Sequence, residues 1–124
     1  LLNIKSSANG SRRMLFTTLL LAAMAPSPTA AVDTSRVAFT KCLNASMKKA
    51  LDDKVTAAEY EISIKSVCET ERAAFRTAVI ALNRSGGDSE ADAAENADMQ
   101  VEDYHANFVD KFKDYSENNS RPSD

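Results

Sequence analysis

The chain has 124 residues, of which 27% are charged, and its 18 acidic residues outnumber the 15 basic ones. A chain of this length forms one small domain, and its negative charge argues against nucleic acid or an anionic membrane surface as a partner. The sequence has a single histidine and lacks a glycine-rich phosphate loop, a nucleophile elbow and a zinc-protease motif, so we expect no enzyme and no cofactor.

The N-terminal segment has the three-part plan of a secretory signal peptide. Arg12 and Arg13 precede an apolar run from Met14 to Ala25, and small residues follow a break of proline and serine. The run is shorter than the ~20 residues that cross a bilayer, so we expect no membrane span after processing. This segment predicts a periplasmic or secreted protein. The general and the twin-arginine export routes both stay open, as does Met14 as the true start.

Cleavage is predicted after Ala31, because Thr29, Ala30 and Ala31 place small residues before the scissile bond. The chain then divides into a signal peptide with upstream residues (1–31), a helical domain (32–116) and a disordered tail (117–124). Three basic residues and no acidic residue precede position 32, so the processed chain carries a net charge of about −6.

Composition and periodicity predict an all-α domain of three antiparallel helices, one short (about 34–51) and two long (about 57–84 and 89–116). No proline interrupts the chain between Pro28 and Pro122. The two predicted turns are short, and helices joined by short turns pack antiparallel.

Each predicted helix has start signals and an apolar stripe. Asp33-Thr34-Ser35 supplies N-cap residues for the first helix, and Thr56 with Glu59 forms a capping box for the second. Gly86-Gly87 ends the second helix, where glycine accepts a positive φ. The residues at helical spacing are Phe39, Cys42, Leu43 and Met47; Tyr60, Ile64, Val67, Cys68, Glu71, Phe75 and Val79; and Ala97, Val101, Tyr104, Phe108 and Phe112.

The two long helices are predicted to extend beyond the short first helix. In that overhang the second helix offers Phe75, Val79 and Leu82 to the alanines of the third, and Ile80 lies off the main stripe. An uncovered apolar side chain of this kind is either simply exposed or marks a self-association face. A homodimer through this overhang is therefore one expectation for the partner.

The third predicted helix carries the strongest local charge bias of the processed chain. No basic residue occurs between Arg84 and Lys111, while acidic residues recur. Acids near a helix N-terminus complement its dipole, which explains part of the pattern as a solvated face. The alternative is an acidic docking face for a basic protein partner, with the residues Asp88, Asp92, Glu95, Glu102 and Asp103.

Cys42 and Cys68 are the only cysteines, and both lie 13 positions from Val55, beside the first predicted turn. Residues equidistant from the turn of an antiparallel helix pair lie level with each other, so the two side chains are predicted to meet. In a small exported domain this favours a disulfide, which closes the loop and stabilises the fold by roughly 3 kcal/mol.

Two other roles for the cysteines stay open, a thiol redox site and a metal site. Cys68 and His105 are equally far in sequence from the second predicted turn, so they are expected to lie level with each other. A sensor built on Cys42, Cys68 and His105 is therefore the alternative function. A closed zinc site needs a fourth ligand, and an oxidising compartment favours the disulfide. His105 flanks the stripe of Tyr104 and Phe108, which is typical of a surface or boundary residue.

Three short patterns resemble a group of short exported bacterial proteins, mostly alphaproteobacterial, that have no assigned function. They are Phe39-x-x-Cys42-Leu43, Cys68-x-x-Glu71-x-x-x-Phe75 and Val101-x-Asp103-Tyr104-x-x-Asn107-Phe108. The resemblance implies a periplasmic or secreted helical protein with a cysteine pair, and no catalytic residue. We therefore expect a non-enzymatic interaction or structural module that contacts another protein.

Overall fold

The computed structural model describes residues 26–123, and that range contains four helices and no strand. They are α1 (Pro28–Asp52), α2 (Ala57–Ser63), α3 (Glu69–Ser85) and α4 (Glu90–Glu117). The all-α prediction is confirmed for these residues, and the count of three helices is wrong. The apolar segment assigned to a signal peptide lies outside the described residues.

Helix α1 starts at Pro28 and not near residue 34, and its 25 residues make it one of the long helices. The cleavage predicted after Ala31 and the domain start predicted at residue 32 therefore fall within the first turns of this helix. The hydroxyl of Ser27 accepts a hydrogen bond from the backbone N–H of Ala30 at 3.1 Å. Proline is favoured in the first turn, because its missing N–H would have had no helical partner there. The prediction treated Pro28 only as part of a break before the domain, and so placed the start too late.

The predicted second helix is two helices, α2 with 7 residues and α3 with 17. The predicted capping box opens α2, since Glu59 N–H donates to the Thr56 hydroxyl at 3.2 Å and Thr56 N–H donates to the Glu59 carboxylate at 3.1 Å. The chain then leaves helical geometry after Ser63 and resumes it after Cys68, whose φ is 56°.

The break places the two helices against different partners. Tyr60 of α2 stacks on Phe112 of α4 with ring centroids 4.2 Å apart. Phe75 of α3 stacks on Phe39 of α1 at 5.8 Å. One straight helix would have kept both stripes on a single neighbour, so tertiary packing overrides a sequence that has no local helix breaker.

Helices α1, α3 and α4 form a bundle, and α2 covers α4 beyond the start of α3. Contacts between Phe39 and Phe75 and between Cys42 and Cys68 show that α3 is antiparallel to α1. The Arg76–Asp98 ion pair and the Asn83–Asn96 hydrogen bond show that α4 is antiparallel to α3, so α1 and α4 run parallel. The core contains Val32, Phe39, Leu43, Met47, Tyr60, Ile64, Phe75, Ala78, Val79, Ala97, Val101, Phe108, Val109 and Phe112.

The longer α1 removes the overhang that the sequence predicted. Val32, in the early turns of α1, is buried in the same cluster as Val79 and Ala97, and Ile80 is half-buried against that cluster. Part of the surface expected to form a homodimer is therefore covered by α1 of the same chain, and Ile80 and Leu82 remain half-buried. At the other end, α4 stops at Glu117, and Arg121 forms an ion pair with Asp52 at 3.1 Å.

Candidate functional site

A disulfide joins Cys42 in α1 to Cys68 at the start of α3, with Cα atoms 6.0 Å apart. The pairing agrees with the interpretation from the sequence, although the geometry differs from a continuous hairpin about Val55. The cysteines meet because α3 packs along α1, while α2 leaves that pair to pack on α4. Both cysteines are half-buried.

Cys68 is the N-cap residue of α3 and has a left-handed backbone conformation, with φ 56° and ψ 37°. Its carbonyl accepts a hydrogen bond from Arg72 N–H at 2.9 Å, but its side chain caps no backbone N–H. A left-handed conformation costs a residue with a Cβ atom about 1–2 kcal/mol. The packing around Cys68 therefore compensates for an unfavourable local backbone.

Glu71 completes a group of three residues that carry metal-ligand atoms. The Cys42 sulfur, the Cys68 sulfur and a Glu71 carboxylate oxygen all lie within 4.8 Å of one another. Glu71 is half-buried and, within residues 26–123, takes part in no ion pair or side-chain hydrogen bond. The signal that could have found Glu71 is its spacing of three from Cys68, which places both on one helix face.

His105 is not a member of that group. It is 8% exposed, and its ring meets the Phe39 ring edge-on at 6.0 Å between centroids. Its Nε2 atom is buried without a hydrogen-bond partner among the described residues. His105 is therefore buried more deeply than a surface residue, and it lies at a boundary, where it lines grooves between α2, α3 and α4.

Burial lowers the pKa of His105 below its ordinary value, since it disfavours the charged imidazolium. The positive charges of Arg72 and Lys65 lower the pKa further, while the carboxylate of Glu102 acts in the opposite direction. The imidazole is therefore neutral at pH 7. It packs as an aromatic core residue.

The predicted acidic residues remain at the surface, and α4 collects most of them on one side. Asp92, Glu95, Glu102 and Asp103 are exposed at helical spacing around Met99, which is itself 55% exposed. We call these four carboxylates and Met99 the acidic face. The predicted fifth member, Asp88, is exposed in the turn before α4.

The acidic face is not neutralised by the ion pairs found within residues 26–123. The neighbouring Asp98 pairs with Arg76 at 2.7 Å, which lowers the pKa of that carboxyl. No corresponding ion pair involves Asp92, Glu95, Glu102 or Asp103. Asp92, Glu95 and Asp103 thus form a negative surface on a helix whose opposite side is buried in the core. Glu102 lies at the edge of this surface, in a groove that it shares with the basic residues Lys65 and Arg72.

Comparison of the chain with protein-family models, with curated proteins and with solved structures gave no match. Among helices α1 to α4, none is both long enough and apolar enough to cross a membrane.

Proposed function

We propose that the chain is an exported helical protein that acts by binding a basic protein partner through the acidic face of α4, and not by catalysis. The observation that carries this proposal is the set of unpaired carboxylates around an exposed methionine on a rigid helix. Methionine is enriched in protein interfaces, and interface rims are polar and solvent-accessible.

The helix dipole accounts for only part of the acidic face. Asp92 lies in the first turn of α4, where a negative charge complements the partial positive charge of the helix N-terminus. Glu95, Glu102 and Asp103 lie beyond that turn, and the dipole effect decreases over this distance. Their charges raise the local negative potential without a stabilising role in the helix itself, which supports a role in attracting a partner.

Export is supported by the disulfide and by the plan of the N-terminal segment. Disulfides persist in the periplasm and outside the cell, whereas cytosolic thiols are kept reduced. The proposal of export also rests on the resemblance to short exported bacterial proteins. The sensor that the sequence allowed as an alternative now concerns Cys42, Cys68 and Glu71, without His105.

Site-specific photo-crosslinking tests the docking surface. A benzophenone amino acid placed at Met99 is expected to give one discrete adduct with a basic protein in the cells of origin. The same group at Val37, which is 65% exposed on α1, is the control and should not give that adduct. An adduct of two copies of this chain would contradict the basic partner and indicate self-association.

Charge neutralisation provides the matched control. Glu95→Gln, Glu102→Gln and Asp103→Asn together should abolish the Met99 adduct, because the partner is attracted by these charges. Asp110→Asn, Asp114→Asn and Glu117→Gln remove the same charge from exposed positions nearer the end of α4 and should leave the adduct unchanged. Equal loss with both sets would mean that net charge matters and that the acidic face does not.

A further inference from the structure

The disulfide and Glu71 place two sulfurs and a carboxylate oxygen within 4.8 Å of one another, at the junction of α1 and α3. This arrangement is independent of the acidic face. A zinc ion binds thiolate sulfur at ~2.3 Å and carboxylate oxygen at ~2.0–2.2 Å, so two tetrahedral sulfur ligands lie roughly 3.8 Å apart. With Cα atoms 6.0 Å apart, the two cysteines need only side-chain rotation to adopt that spacing once the S–S bond is broken.

Glu71 has the surroundings expected of a ligand that is free to bind. It is half-buried, lies one turn after Cys68 and takes part in no side-chain hydrogen bond or ion pair within the described range. The nearby cation Arg72 is held elsewhere, because its guanidinium donates to the carbonyl of Lys65. The carboxylate is therefore not already committed to a protein partner.

Cys68 is the N-cap residue of α3, so its sulfur lies at the start of that helix, beside the carboxylate of Glu71. Thiolates are both the nucleophiles of disulfide exchange and the ligands of zinc. The half-buried position of the two cysteines leaves the bond within reach of a small reductant.

We infer that the reduced chain binds one thiophilic divalent cation, of the zinc and cadmium class, through Cys42, Cys68 and Glu71. The disulfide then acts as the switch of this site. A dithiol reductant gives two electrons and two protons to the S–S bond and becomes a disulfide itself. The cation displaces the protons of the two cysteine thiols when it binds. Water supplies the fourth ligand, as in open zinc sites.

The test uses the full chain, reduced with a phosphine that is then removed in the absence of oxygen, and Cd²⁺ or Zn²⁺ as the probe. One Cd²⁺ per chain is expected, with the ultraviolet charge-transfer band of cadmium thiolates and release of two protons. Bound Zn²⁺ should also slow alkylation of both cysteines. The oxidised chain should show none of these changes. A metal-dependent band in the oxidised chain would overturn the inference.

Two glutamates in the same turn of α3 separate a built site from simple binding to two thiols. Glu71→Gln should weaken Zn²⁺ binding by at least about tenfold, because it removes a ligand charge. Glu69→Gln makes the same chemical change at an exposed position outside the group and should leave affinity unchanged. Equal affinities in the two variants would overturn the site. The same result is expected if the reduced chain is unfolded and binds metal only through its thiols, so that case also counts against the inference.

Discussion

The hydroxyl of Tyr60 lies in the core without a hydrogen-bond partner among the described residues, although the side chain is only 1% exposed. An unpartnered buried polar group costs about 1–3 kcal/mol relative to a satisfied one. Burial also raises the pKa of Tyr60 to about 12, because it disfavours the phenolate. The stacking of its ring on Phe112 offsets this cost, so Tyr60 serves the fold through its ring and not through its hydroxyl.

Replacing Tyr60 with phenylalanine is expected to leave stability unchanged or raise it by about 1 kcal/mol at pH 7, because the variant removes the unpartnered hydroxyl and keeps the stack. In the unfolded chain the tyrosine ionises near pH 10, whereas in the folded chain its pKa is about 12. Its contribution is therefore present below pH ~10 and is lost as pH rises towards 12.

Urea denaturation at pH 7 and at several values between pH 9 and 12 measures both effects. Tyr60→Phe should show less alkaline destabilisation than the parent chain, while Tyr115→Phe, at a half-buried position, is the control. A loss of more than 1 kcal/mol at pH 7 would show that the hydroxyl has a favourable partner.

The lowered pKa of His105 leads to a prediction for acidic pH, where stability is lost as the pH falls and not as it rises. Its pKa is lowered in the folded chain, so the unfolded chain takes up a proton first as the pH falls. Stability should therefore be complete above the unfolded value of ~6.5 and decrease as the pH falls through the lower folded pKa. Because the chain has one histidine, a single imidazole signal can be followed by NMR. A midpoint at or above 6.5 in the folded protein would contradict this assignment.

At the scale of helices, the sequence predicted where most helical residues lie but not where the second helix breaks. The capping box at Thr56 and the glycine turn after α3 are local signals, and they are found where predicted. The break after Ser63 has only a weak local signal, the serine and β-branched residues of 62–67, which have low helix propensity. Its position follows from Tyr60 packing on α4 while Phe75 packs on α1. Those partners are distant in sequence and depend on the finished bundle.

The end of α1 offers a direct test of backbone strain. Lys54 follows the helix with φ 58°, and its N–H donates to the Leu51 carbonyl at 3.2 Å. Glycine has no Cβ penalty in this conformation, so Lys54→Gly is expected to stabilise the chain by about 1 kcal/mol. Lys54→Ala removes the same charged side chain but keeps the Cβ atom, and should give no such gain. Thermal unfolding of the three chains distinguishes the outcomes.

At the scale of the whole molecule, the disulfide fixes α1 to α3 and so holds together the helices that make most of the core. The cysteine pair was predictable from composition and spacing, and the position of Glu71 on the same helix face as Cys68 follows from their spacing of three. The burial of His105 was not predictable, because it depends on how α4 packs against the other helices, and a one-dimensional pattern does not contain that packing. The acidic residues were predictable as a surface, because charged side chains at helical spacing stay exposed whatever the packing.

Removing the disulfide is expected to lower the free energy of unfolding by roughly 3 kcal/mol, because the bond closes a loop with a separation of 26 residues in the unfolded chain. Cys42→Ala with Cys68→Ala, compared with the oxidised parent by urea denaturation, measures this loss. A reductant should destabilise the parent by a similar amount and have no effect on the double variant. A loss below 1 kcal/mol would show that packing alone holds α1 against α3.

The same bond determines how the molecule would respond to tension. Force applied at the two ends passes from α1 to α3 through the sulfur atoms and bypasses the segment between Cys42 and Cys68, which contains α2. The two cysteines are separated by 26 positions, so at ~3.4 Å per residue the bond keeps roughly 90 Å of contour length from extending. An oxidised chain stretched in a force experiment should therefore be shorter by this length, and a reductant should release it in one step.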